Sequence, residues 1–248
     1  MLGSIKSNQA WEWGAFGKHP VARDYIRIGP ETPLMQAFSR WIENGYALLD
    51  TGKNHAYAIY SWRFWAKGFK KDHLVCGLVR DSSDSLGRPF PFLVLGSGGL
   101  KGWERNWEKL PIALDKIWKA TEFLYTKRYH NFHELERDVT MIPPVVNSWS
   151  ECDKEEQAIP SIDNFHMLEQ IEKLIHGPQF SLAIQGKYSD DYSKTFELLH
   201  CLVKARINDV PNAVFIGGIV EQSYLSVYRR SLAPIDFVKL WSSFPMEI

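Results

Sequence analysis

Cysteine is scarce and scattered in this chain: Cys76, Cys152 and Cys201 are the only three, and no two are spaced as C-x-x-C. An odd number so far apart excludes a disulfide framework and a cysteine-built zinc site, and fits reduced thiols in a reducing compartment. Net charge is missing too. Twenty-nine basic residues balance twenty-nine acidic ones, which excludes the broad positive field of a general nucleic-acid binder. No run approaches the roughly 18–20 apolar residues of a membrane span, so no membrane insertion is expected. Met1 to Ala10 lacks the apolar core of a secretory signal. The expected compartment is the cytoplasm.

Several catalytic signatures are lacking as well. Gly14-x-x-Gly17-Lys18 is too short for a phosphate-binding P-loop and lacks the Ser or Thr that would meet magnesium. Gly96-x-Gly98-Gly99-x-Lys101-Gly102 has Lys101 where a dinucleotide fingerprint needs its third glycine, and reads as a flexible strand-to-helix connection. No G-x-S-x-G occurs. His130 and His133 share a helical face with Glu134, but no third ligand is in view, and a solvated helix end accounts for them. The expectation is a protein without catalytic residues, cofactor or metal.

What the chain has in excess is aromatic surface. Aromatics reach 14%, including ten Trp, and indoles carry an N–H that needs a partner, so some should lie at half-buried or interface positions. The apolar pattern predicts a strand at Trp11–Gly17 and a helix from Thr32-Pro33, an N-cap followed by proline, to about Asp50. Three strands follow, at Ala56–Trp65, Leu74–Val79 and Phe90–Leu95, in an antiparallel meander that the Gly96–Gly99 run ends. A long helical face spans Trp103–Lys127, with Pro111 either kinking it or marking a fresh start. A short helix capped by Asn131 runs to Val139. Residues 1–140 therefore form an N-terminal part, 141–161 reads as a linker-like loop rich in proline and acidic residues, and 162–248 forms a C-terminal α/β part of the same domain. In that part, helices are expected at Asp163–Ile175, Ser189–Ile207 and Pro234–Trp241. Strands are expected at Phe180–Gln185, Ala213–Val220 and Tyr224–Tyr228. The unbroken apolar run Ala213–Ile216 suits a sheet covered on both faces.

The corner Gly17-Lys18-His19-Pro20-Val21-Ala22-Arg23-Asp24 organises the reading. Glycine removes the Cβ penalty of a tight turn and Pro20 fixes φ, so a rigid corner presents Lys18, Arg23 and Asp24. Lys18 and Arg23 donate but cannot accept, which suits recognition better than acid–base chemistry. Arg63 and Arg88 sit in or beside aromatic strands, where a guanidinium needs a planar acceptor or an aromatic face. Two readings stand for them: a buried pair with Asp24, Asp81 or Asp84, or convergence of Lys18, Arg63 and Arg88 with Trp62 and Phe90 on one partner-binding patch.

Gly17-Lys18-x-Pro20-x-x-Arg23-Asp24-Tyr25 resembles the opening Gly-Lys-Leu-Pro-Ser-Arg-Gly-Asp-Phe of the TagF (or ImpM) proteins of type VI secretion systems. Trp62-Arg63-Phe64, Gly87-Arg88-Pro89-Phe90-Pro91, Ala213–Gly218 and Ser231-Leu232-Ala233-Pro234-x-x-Phe237 resemble later family segments in the same order. The resemblance implies a three-layer α/β/α sandwich around a mixed, largely antiparallel sheet. It also implies a bacterial accessory regulator that represses secretion after translation by binding the FHA-domain scaffold protein. Two other functions stay open on the residues alone: a metal-dependent phosphoester hydrolase using Asp24, Asp81 or Asp84, and a structural adaptor of the machine.

Overall fold

Along Trp62-Arg63-Phe64-Trp65 successive side chains leave the backbone on opposite faces, and both faces are covered. That alternation generates the architecture. A computed structural model describes residues 10–49, 59–146, 149, 171–172, 174–184 and 192–242. Its strands are β1 (Glu12–Gly17), β2 (Ile26–Ile28), β3 (Ser61–Lys67), β4 (His73–Arg80), β5 (Phe92–Gly99), β6 (Gln179–Ile184), β7 (Ala213–Gly218) and β8 (Ser223–Tyr228). They form one sheet in the order β2-β1-β5-β4-β3-β7-β8-β6. Every pairing among them is antiparallel, so the sheet is not mixed. β7 pairs with β3, which joins the C-terminal strands to the N-terminal ones in a single sheet. Most of the linker-like 141–161 and of the expected helix 163–175 lies outside the described residues.

Two cores flank the sheet. On one side Phe16, Trp62, Phe64, Val79 and Phe215 meet α1 (Pro33–Ala47) and the last helix, α6 (Pro234–Leu240). On the other, Trp13, Trp65, Phe92 and Val214 meet α2 (Leu110–Ala113), α3 (Asp115–Thr126), α4 (Phe132–Thr140) and α5 (Tyr192–Lys204). Local signals set the helix starts. The Thr32 hydroxyl accepts the Met35 amide at 3.1 Å and the Asn131 side chain accepts the Glu134 amide at 3.0 Å. Pro111 falls in the first turn of α2 after two short 3₁₀ turns, so the Trp103–Lys127 face is several pieces and the proline marks a fresh start.

The glycine run Gly96–Gly99 does not end the sheet. It lies inside β5, and a Cβ on Gly96 would sit 2.5 Å from the Trp13 ring, one on Gly98 2.6 Å from the Trp11 ring. The glycines are seats for two stacked indoles from the neighbouring strand, whose centroids lie 5.9 Å apart. On the same side of the sheet, buried His200 takes the Trp65 indole N–H on Nε2 at 3.1 Å and donates Nδ1–H to the Phe196 carbonyl at 2.6 Å. Burial lowers its pKa to about 4.

Candidate functional site

β1 ends at Gly17 with φ at +128°, and a Cβ there would lie 2.0 Å from the Pro91 carbonyl oxygen. Glycine is required because the corner after β1 is pressed onto the β4–β5 connection. The two loops are then tied by backbone: the Ser85 amide donates to the Ala22 carbonyl at 2.8 Å, and the Arg88 guanidinium donates to the Arg23 carbonyl.

Asp84 is the centre of the tie. Its side chain is fully buried; Oδ1 accepts the Leu86 and Arg88 amides, each at 3.0 Å, and Oδ2 accepts Arg88 Nε at 2.7 Å. Lys18 Nζ lies 3.3 Å from Oδ2 and 5.1 Å from the centre of the Tyr25 ring. Burial alone would raise the Asp84 pKa, but the bonds from the Arg88 amide and guanidinium, the Leu86 amide and Lys18 outweigh it and hold it at about 2. The carboxylate accepting i+2 and i+4 amides is an Asx-type turn, the reason the loop keeps one shape.

An aromatic floor supports this corner. Buried Phe90 has Tyr25 at 4.8 Å, Tyr46 at 4.9 Å and Phe16 at 6.0 Å, all edge-on. Pro91 is buried beneath it, while Gly87 turns the outer tip with φ at +77°. Above the floor the surface is made of exposed Pro20, Arg23, Asp24, Tyr25, Leu86 and Arg88. Leu86 is 63% and Tyr25 50% exposed.

Gly17, Lys18, Arg23, Arg88, Phe90 and Pro91 thus come together, around a residue, Asp84, that the residue pattern raised only as a pairing partner or hydrolytic acid. Trp62 and Arg63 do not join them. Arg63 binds Glu122 of α3 in a fork, Nε–Oε1 2.7 Å and Nη2–Oε2 3.0 Å, with Asp115 at 3.9 Å and the Trp118 ring at 5.7 Å. Among the described residues its carboxylate acceptors are on α3, and none of Asp24, Asp81 or Asp84 is among them. Trp62 points to the opposite face and packs beside Tyr224 at 6.4 Å. Arg63 lies on β3 and Lys18 just past the end of β1, strands three places apart in the sheet, roughly 14 Å at sheet spacing.

The three aspartates weighed for hydrolysis are all occupied. Asp24 is exposed and accepts the Tyr25 amide at 2.8 Å. Asp81 accepts the Tyr60 amide at 2.8 Å and the Trp241 indole at 2.7 Å. Asp84 is bound as described. They face different elements instead of one reacting position, and among the described residues no three His, Cys, Asp or Glu side chains are grouped to hold a metal ion. His130 and His133 are exposed, at 3.4 Å from Glu134 and 3.3 Å from Glu136.

A cleft of about 630 Å³ opens on the other side of the same corner, between His19–Val21, Arg80–Ser83 and Tyr125–Tyr129. His19 is buried against Phe92 and Tyr129 at 5.2 and 5.6 Å, and burial lowers its pKa to about 4, so it is neutral at pH 7. Residue patterns gave only a faint sign of this cleft: Arg80 as a charge closing an apolar strand, and the pair Lys127-Arg128 just past a helix.

Fold and site together define an α/β protein whose single antiparallel sheet carries a built, interlocked loop corner at one end. The family model described as the TagF N-terminal domain, type VI secretion system-associated, matches residues 14–141, just over half of the chain and all of that corner. The chain belongs to the TagF family and is a type VI secretion-associated protein. The fold is also similar to the crystal structure of PA0076 from Pseudomonas aeruginosa PAO1, with a TM-score of 0.51 and 16% identity over 95% of this chain and 96% of that one. No curated protein matches the chain. No described helix is long and apolar enough to cross a membrane.

Proposed function

We propose that this chain represses type VI secretion after translation by occupying the FHA-domain scaffold protein of the machine. It acts in the cytoplasm as a stoichiometric binder, not as an enzyme. The observation that carries this reading is the corner around Asp84. Two distant family segments are locked into one rigid shape there, and the result holds Arg23, Tyr25, Leu86 and Arg88 outward. Tyr and Arg are the residue types that most often anchor interfaces, and pre-ordered loops lose little freedom on binding. Family membership supplies the secretion context.

The test is co-purification and calorimetric titration of the purified chain with the FHA-domain scaffold, alongside secretion at graded expression. Repression that tracks the ratio of this protein to the scaffold supports the reading. A chain that does not bind the scaffold overturns the mechanism. Deletion that abolishes secretion, instead of raising it, would make the protein a structural adaptor.

A further inference from the structure

The cleft beside the corner is lined by more cations than anions. Of its four formal charges, Asp81 spends its two oxygens on Tyr60 and Trp241, and Lys127 is paired with Asp138. Arg80 and Arg128 have no carboxylate within ion-pair distance among the described residues. The balance of the cleft is therefore positive, in a chain whose overall charge is zero. Half-buried Ser82 and Ser83 add hydroxyl donors to the lining.

The lining also has apolar members: Val21, the Tyr129 ring and Ile59, which is 53% exposed. Mixed basic and apolar lining at about 630 Å³ lies within the ~300–1,000 Å³ of ordinary ligand sites. It is more room than a single inorganic anion fills, and its open shape suits a chain passing through. The cleft also runs into the proposed interface. Ser82 and Ser83 precede Asp84 on one connection, and the Ser82 carbonyl takes the Phe90 amide at 3.0 Å.

We infer that this cleft receives an extended, carboxylate-bearing segment of the partner protein, with Arg80 and Arg128 taking its acidic side chains and Val21, Ile59 and Tyr129 its apolar ones. The inference rests on the partner-binding reading and names the chemistry the partner must present. Two Arg–carboxylate forks would give specificity for a planar anion that a lysine does not.

The test uses the full chain and a labelled, capped eight-residue peptide carrying four glutamates among leucines and serines, followed by fluorescence anisotropy. Its control is the same peptide with glutamine at all four positions. The expected result is at least tenfold tighter binding of the glutamate peptide, weakened by raising salt, and lost in the Arg80→Gln/Arg128→Gln double variant while its melting curve stays that of the parent. Equal binding of the two peptides, no binding of either, or a double variant that binds like the parent overturns the inference. Displacement of the peptide by millimolar inorganic phosphate, with phosphate binding equally well alone, would make the cleft a simple anion site and also overturn it. A parent chain that binds the scaffold but not the peptide removes this inference and leaves the scaffold reading standing.

Discussion

Arg88 and Asp84 hold each other twice: the guanidinium Nε meets one carboxylate oxygen at 2.7 Å, and the other oxygen caps the Arg88 amide at 3.0 Å. One pair thus fixes a side chain and a turn together. A half-exposed arginine locked in this way serves the shape of the loop first, and its outward edge is what remains for a partner.

Replacing Asp84 with Asn keeps the volume and removes the charge that Lys18 and Arg88 share. The expected outcome is a lower melting temperature at pH 7, with a larger loss than for Arg88→Gln, because Asp84→Asn leaves two cations without their anion. Thermal denaturation of the two variants decides the order.

The same carboxylate sets an acid limit. Its folded pKa, about 2, is below its unfolded value, so the stability it contributes is full above the ordinary carboxylate range and is lost as pH falls from about 4 towards 2. The Asp84→Asn variant should show a shallower decline over that window in denaturant titrations.

His200 acts at higher pH. Its folded pKa of about 4 is lower than the unfolded 6.5, so the unfolded chain binds more protons between these values and stability falls on acidification through that window. The full loss at pH 4 is on the order of 3 kcal/mol. Buried His19 adds in the same direction. His200→Gln keeps an acceptor for the Trp65 indole and removes the titration, so its stability curve should be flatter between pH 6.5 and 4.

Arg63→Gln separates structure from recognition. Removing the fork to Glu122 should cost about 1.5–3 kcal/mol of folding stability, the range for hydrogen bonds to charged groups. Scaffold affinity, measured at a temperature where the variant is folded, should be unchanged. A loss of affinity without a loss of stability would place Arg63 on the contact surface after all.

The elements that the sequence made legible are those fixed locally. Thr32-Pro33 and Asn131 sit where their caps are needed, and the Trp62–Trp65 alternation marks a strand covered on both sides. The Gly17 corner was legible for the same reason: a tight turn has a short-range cause. Gly96 and Gly98 were not, because what makes them strand residues is a pair of indoles from Trp11 and Trp13, more than eighty positions earlier. The Arg63 acceptor was likewise hidden, since Glu122 comes from a helix 59 positions away. That Arg80 and Arg128 share one cleft was not legible either, because it takes three separate segments to enclose it.

The proposed contact surface is the outer face of the corner, where the Arg23 and Leu86 side chains are exposed and make none of the described bonds that fix the loops. Calorimetric titration of the FHA-domain scaffold with the Arg23→Glu/Leu86→Asp double variant, beside the parent chain, tests it most directly. Stability should change by little, within the ~0.5 kcal/mol of ordinary surface substitutions, while affinity falls by about thirtyfold or more, the mark of an interface anchor. A parent chain that does not bind the scaffold, or a double variant that binds it as tightly as the parent, would show that this face is not the contact surface.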